Sequence, residues 1–299
     1  MSPQAGIDTP AWSEPFVVRE KLEPGHLSPF EYDRERAWGG ATGEGVTVAV
    51  IDSGIDAAHP AVGHVARSVS IERVGDEFDV NETAEPGDFV GHGTACAGII
   101  RSFAPNANLV SVRVLGPNNR ASGRAFLKAL EWITEQRIDV VNLSLSSRSD
   151  ELFPYFHDIV DEAYFNGCLL ISAASNTPGE ASYPSLFSSV VSVASHDIPD
   201  PWTYFYNPNP PVEFGAWGVD VPVAWLGGGQ IVASGNSFAA PHIAGLAALV
   251  RSKHPGLTAF ELKSVLSAVA TPAAGGVDGA PSEAATVAAS DLSERSRAE

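Results

Sequence analysis

The sequence predicts an α/β fold in which a mostly parallel, twisted sheet is covered by helices on both faces. Two observations predict it. Short β-branched and apolar runs recur along the chain without polar alternation, the pattern of strands buried on both sides. Between them lie stretches whose apolar residues share one helical face, so strands and helices alternate as in right-handed crossover units. Active residues of such a sheet collect beyond the carboxyl ends of the strands.

Residues 1–43 are rich in Pro, Glu and Gly without a sustained period and read as an extended arm. Order is expected from about Gly45, where Val46–Ile51 (VTVAVI) forms a strand ending at Asp52. Further strands are expected at Leu109–Leu115, Val140–Leu145, Cys168–Ala174 and Val190–Ala194. Ser122–Gln136 is the clearest helix, with Ala125, Phe126, Ala129, Leu130 and Ile133 on one face, and Leu152–Phe165 is a second. Ser237–Ser252 opens with Ala and Gly and should be a buried, closely packed helix, with Pro241 tolerated near its start. Thr258–Val269 opens on a capping box of Thr258 and Glu261. Residues 272–299 turn to Ala, Gly, Ser and charge and read as a flexible tail, leaving one folded domain over 44–271.

With 299 residues, 44% of them hydrophobic, the chain can bury a single large core. A net charge of -18 with only 18 Lys and Arg argues against a nucleic-acid partner, which would need clustered cations for phosphates, and none is expected. The charge serves solubility, or, on a sharper reading, attracts basic peptides. Cys96 and Cys168 lie in apolar runs and are expected to be free buried thiols. No basic region followed by an apolar one opens the chain, and no apolar run approaches the roughly 18 residues that span a bilayer. No membrane partner and a cytoplasmic location are therefore expected. The sequence carries no signal for the oligomeric state.

Serine is a weak nucleophile unless an imidazole takes its proton and an acid orients the imidazole. Asp52 stands at the exit of the first strand in VAVIDSGID, His92 between glycines in GHGTACAG, and Ser237 at a helix start in GNSFAAPHIAG. There, free N–H groups and the helix dipole favour a developing anion. Singly, each has an ordinary reading: a strand-end cap, a loop histidine, a helix N-cap. Their order and their flanking glycines and small residues select them together.

TGEGVTVAVIDSGID, GHGTACAG, VVNLSLS, ISAASN, YPS and GNSFAAPHIAGLAAL follow one another from about Ala41 to Ala270. In these motifs the chain is similar to subtilisin-type serine proteases, and resembles intracellular members that lack a folded pro-domain. The resemblance implies a three-layer subtilisin-like fold and a serine endopeptidase with Ser237 as nucleophile, His92 as general base and Asp52 as its orienting acid. It implies a peptide or protein as substrate partner, and Asn176 as the oxyanion donor beside the backbone N–H of Ser237. Two substrate-pairing edges are implied, Asn119, Arg120 and Ala121 on one side and Ser144, Leu145 and Ser146 on the other, with Leu145 facing the pocket for the fourth residue before the cut. The alternatives within this resemblance are a catalytically weak peptide-binding homologue and an esterase or acyltransferase using the same triad.

Departures from the family pattern carry further expectations. Ser146 and Ser175 replace pocket glycines, which predicts a narrowed primary pocket and a preference for small or polar residues before the cut. Asn236 replaces the usual Thr beside the oxyanion region, where it is expected to be conservative or to slow the reaction. The chain passes from AGIIRS to FAPNANLVSVRVL without the calcium loop of secreted members, and Ala61 stands in place of a carboxylate. No cofactor and no strong calcium site are expected; weak calcium elsewhere stays open. Cys96, four residues after His92, reads as an inert buried side chain, or as the thiol that lies beneath the histidine in some relatives. His59 and His242 read as structural. By analogy with intracellular relatives, part of residues 16–40 is expected to lie across the cleft until trimmed.

Overall fold

The computed structural model describes residues 32–82, 87–177, 179–209 and 211–272. Its strands are β1 (Thr47–Asp52), β2 (Arg67–Val74), β3 (Glu77–Glu82), β4 (Asn108–Arg113), β5 (Val140–Leu143), β6 (Leu169–Ala173), β7 (Val190–His196), β8 (Tyr204–Tyr206), β9 (Phe214–Trp217), β10 (Val221–Trp225) and β11 (Gly229–Ala233). Nine of them form one sheet in the order β3-β2-β4-β1-β5-β6-β7-β9-β8. β3 and β8, at the edges, run antiparallel to their neighbours, and the remaining pairings are parallel. β10 and β11 make a separate antiparallel hairpin.

The helices are α1 (Arg34–Trp38), α2 (His92–Phe103), α3 (Gly123–Thr134), α4 (Phe153–Phe165), α5 (Asn236–Lys253) and α6 (Ala259–Ala268). Successive strand residues point to opposite faces, so one strand serves two cores. Val48 and Val50 pack with α1, α2, α5 and α6, while Ala49 and Ile51 pack with α3 and α4. This three-layer arrangement is the expected one. α5 is buried from Phe238 to Arg251 because it lies centrally on its face.

Three expectations change in detail. Arg34–Trp38, assigned to the extended arm, is helical, with Ala37 and Trp38 buried and Asp33 capping the Arg36 N–H at 2.7 Å. Lys253 donates to the Gly39 carbonyl at 2.8 Å, and Arg34 donates to Val269 O at 3.2 Å and Thr271 Oγ1 at 2.8 Å. The folded body therefore begins before residue 44, and residues 32–40 pack at the far end of α5 rather than across any cleft. Residues 16–31, like the tail from 273 onward, lie outside the described residues. Second, the β5 run stops at Leu143, and Ser144–Ser146 leave the sheet. Third, Pro241 sits in the second turn of α5, so it costs the bond that its missing N–H would have made to the carbonyl of Ser237. Among the described residues, no helix is long and apolar enough to cross a membrane.

Candidate active site

Register places the site. Asp52 pairs with Arg113, Ile51 with Leu143 and Leu143 with Ser172, so β1, β4, β5 and β6 end level and release their following loops on one side. Asp52 is fully buried there and accepts the Ser53 N–H at 2.7 Å. His92 begins α2 directly above it. Gly91 adopts φ +101°, and a Cβ at Gly93 would stand 2.0 Å from the Gly54 carbonyl, so the glycines on both sides let the helix start close over the strand end.

His92 Nδ1 lies 2.9 Å from each Asp52 carboxylate oxygen, and Nε2 lies 2.9 Å from Ser237 Oγ. With Nδ1–H donated to the carboxylate, Nε2 carries the lone pair that accepts the serine hydroxyl. Burial works to lower the His92 pKa, but the Asp52 carboxylate outweighs it and holds the pKa well above the ordinary value.

Ser237 sits at the start of α5, and its carbonyl, left free by Pro241, is taken up from below. Ser144 Oγ donates to it at 3.2 Å, Asn142 Nδ2 donates to Ser144 Oγ at 2.9 Å, and the Cys96 thiol lies 3.6 Å from the same carbonyl. Cys96 also lies 3.8 Å from Asp52 Oδ2 and 3.9 Å from His92 Nδ1, beneath the histidine. Burial pushes its pKa up, so it stays a thiol. Both cysteines are free and buried.

Asn176 follows β6 on the opposite side of Ser237. Its side-chain oxygen accepts the Asn236 N–H at 2.9 Å, which leaves the amide NH2 as the end available to the cleft. Asn236 turns its side chain away from the cleft: Oδ1 accepts from Ser195 N at 2.9 Å, and Nδ2 donates to Ala174 O at 3.2 Å and Ser175 O at 3.0 Å. It frames the oxyanion region without entering it.

A cleft of about 780 Å³ joins His92, Asn176 and Ser237 to both expected substrate edges, Asn119, Arg120 and Ala121 on one wall and Ser144, Leu145 and Ser146 on the other, and to Ser175. Asp52 alone of the expected site residues stays out of the cleft, behind His92. The Ser175 hydroxyl is committed to Glu180 Oε2 at 2.8 Å and the Thr177 N–H at 3.1 Å. His59 and His242, expected to be structural, both bond to backbone groups. His59 Nδ1 accepts the Ala61 N–H at 3.1 Å, so Nε2–H donates to Gly229 O at 2.9 Å. Burial depresses the His242 pKa to about 4, keeping it neutral where it bonds Phe238 O.

Two groups escaped sequence reasoning. Asp88 accepts Ser53 Oγ at 2.7 Å, Val90 N at 2.9 Å and Gly91 N at 2.8 Å on one oxygen, and Thr94 N at 2.9 Å and Thr94 Oγ1 at 2.6 Å on the other. It thereby fixes the turn that carries His92. Its only sequence signal is an Asp three residues before a Gly-His pair. The second group is the ion pair of Arg148 Nη1 with Glu180 Oε1 at 2.6 Å.

A serine bonded to a histidine that a buried aspartate orients, with an amide donor across from it, defines a serine hydrolase of the acyl-enzyme type. The chain matches the Subtilase family (Peptidase_S8) over residues 43–285. It belongs to that family. It is 32% identical over 256 residues to the minor extracellular protease Epr of Bacillus subtilis, covering 82% of this chain and 38% of the relative. It is 31% identical over 246 residues to subtilisin DY of Bacillus licheniformis, covering 78% and 86%. A thermostable alkaline protease of Halalkalibacterium halodurans is 33% identical over 242 residues, covering 78% of this chain and 64% of the relative. The chain thus spans well under half of the first of these relatives and most of the second. Among solved structures, a cold adapted subtilisin-like serine proteinase superposes with a TM-score of 0.62 at 29% identity, covering 76% of this chain and 83% of that one.

Proposed function

We propose that the protein is an endopeptidase that cleaves peptides or proteins through an acyl-enzyme on Ser237. The observation that carries this is the unbroken relay of 2.9 Å contacts from Asp52 through His92 to Ser237 Oγ. His92 Nε2 takes the hydroxyl proton as Oγ attacks the substrate carbonyl carbon. The Ser237 N–H and the Asn176 NH2 receive the oxyanion. Nε2 then returns the proton to the leaving amine, and a water activated by the same nitrogen releases the acyl group.

Fluorophosphonate labelling followed by cleavage of a peptide library, with Ser237→Ala as control, tests the reading. No adduct points to a peptide-binding homologue, and an adduct without peptide cleavage points to an esterase or acyltransferase.

The reading extends to calcium, location and control. Ala61 offers a methyl where an oxygen ligand is required, and α2 runs uninterrupted from His92 to Phe103, so the residues present do not fit the strong calcium site. Equal melting temperatures in chelator and in calcium are expected. Two free thiols suit a reducing, cytoplasmic setting, which cell fractionation tests. For control, residues 16–31 could reach about 50 Å when extended. α5, whose far end holds residues 32–40, has 18 residues and is about 27 Å long. The segment is therefore long enough to return to the cleft. Equal peptide turnover by the full chain and by a deletion of residues 1–31 would sink an inhibitory role.

A further inference from the structure

The charge of the cleft runs against the charge of the chain. The whole sequence holds 36 Asp and Glu against 18 Lys and Arg, yet among the described residues lining the cleft the charged side chains are Arg120 and Arg148, and the carboxylate that reaches its edge, Glu180, is already engaged by Arg148 and Ser175. The net charge serves solubility or, on the sharper reading, attracts basic peptides; the cleft lining opposes the second reading where a substrate would lie.

Each arginine is available to a ligand. Arg120 stands in a tight loop, with the Gly116 N–H donating to its carbonyl at 3.0 Å and Asn119 before it at φ +55°. Its guanidinium has no hydrogen-bond or ion-pair partner among the described residues. Arg148 belongs to one wall of the expected primary pocket and Glu180 approaches from the other, where Ser175 holds its second oxygen at 2.8 Å. The Ser147–Tyr183 bridge ties the two walls together behind them. The Glu180 side chain is 30% exposed and anchored, whereas that of Arg148 is 71% exposed. A guanidinium has five N–H donors and Glu180 engages one nitrogen, so an entering carboxylate can bind Arg148 without displacing its partner. A lysine or arginine side chain would instead meet a guanidinium at either position, with the Glu180 carboxylate already taken by Arg148 and Ser175.

We propose that the cleft selects peptide segments bearing acidic side chains upstream of the cleaved bond, with Arg148 acting at the primary pocket and Arg120 at the outer edge. This rests on the endopeptidase reading and names its substrate class.

The test uses three matched fluorogenic peptides carrying Glu, Gln or Lys immediately before the cut, and a second set varied four residues before it. At physiological salt, kcat/KM is expected to favour Glu over Gln by about threefold and Glu over Lys by roughly tenfold, the range of exposed ion pairs. High salt should flatten both ratios. Arg148→Glu should invert the Glu-to-Lys ratio in the first set and Arg120→Glu in the second; the ratio within each protein is the readout. Cleavage of the Gln peptides with no Glu preference in either set overturns this inference and leaves the endopeptidase reading standing, as do ratios that neither variant moves. Failure to cleave any peptide, with Ser237 unlabelled, overturns both.

Discussion

Replacing Asp88 with asparagine tests whether the turn carrying His92 is held by one carboxylate. The amide keeps one oxygen, which can serve Ser53 Oγ, Val90 N and Gly91 N, but its NH2 then faces Thr94 N and Thr94 Oγ1. The Thr94 N–H loses its acceptor, while the Thr94 hydroxyl can turn to accept from the NH2 but no longer meets a charge; at about 1.5 kcal/mol for each weakened bond the loss is about 3 kcal/mol in all. For a domain of this size that lowers Tm by about 9 °C. Because the weakened bonds hold Thr94, two residues after His92 in the first turn of α2, kcat/KM at 25 °C should also fall about tenfold through misplacement of Nε2. Thermal melts and peptide turnover measured well below Tm separate the two effects. A variant within about 2 °C of the parent and equally active would refute the view that Asp88 organises the site.

In the proposed reaction neutral His92 is the base, and its raised pKa holds the proton to higher pH. The acid limb of kcat/KM should therefore rise with a midpoint above the ordinary histidine value of 6.5, and Asp52→Asn should move it down in pH while lowering kcat about 10⁴-fold. Asn176→Ala should lower kcat by about 10² to 10³ with KM little changed, since the donor acts on the oxyanion rather than on the bound peptide. Cys96 is a buried, protonated thiol 3.9 Å from His92 Nδ1; mercurials should inhibit the parent and spare Cys96→Ala, while iodoacetamide should react more slowly than with free cysteine.

The triad was legible because local chemistry marks each member: a strand-end aspartate, a histidine between glycines, and a serine opening an alanine-rich helix. The parallel strands flanking the site were legible as apolar runs. What escaped depends on contacts made only by folding. Asp88 is recognised by backbone donors that its own turn and α2 bring to it, and Arg148 meets Glu180 across 32 residues of sequence. β2 and the edge strand β3 alternate polar and apolar residues, so they lack the continuous runs that marked the central strands. α1 has five residues, too few for a helical period, and owes its order to Trp38 and to bonds from α5 and the segment after α6.

Asn236 shows how a departure from the family pattern acquires a structural role. Its backbone N–H holds the Asn176 side chain, while its own side chain ties α5 to the loop after β6 through Ala174 O and Ser175 O and to β7 through Ser195 N. The two donors proposed for the oxyanion are thereby fixed to each other by one residue lying between them in the fold. Asn236→Ala keeps the backbone bond but removes three others, at about 1 kcal/mol each. The loop bearing Asn176 should then loosen. kcat is expected to fall about tenfold, and fluorophosphonate labelling of Ser237 should slow in parallel, because both reactions place charge in the same hole. An Asn236→Ala protein that melts earlier yet labels and turns over at the parent rate would show that the side chain supports the fold alone.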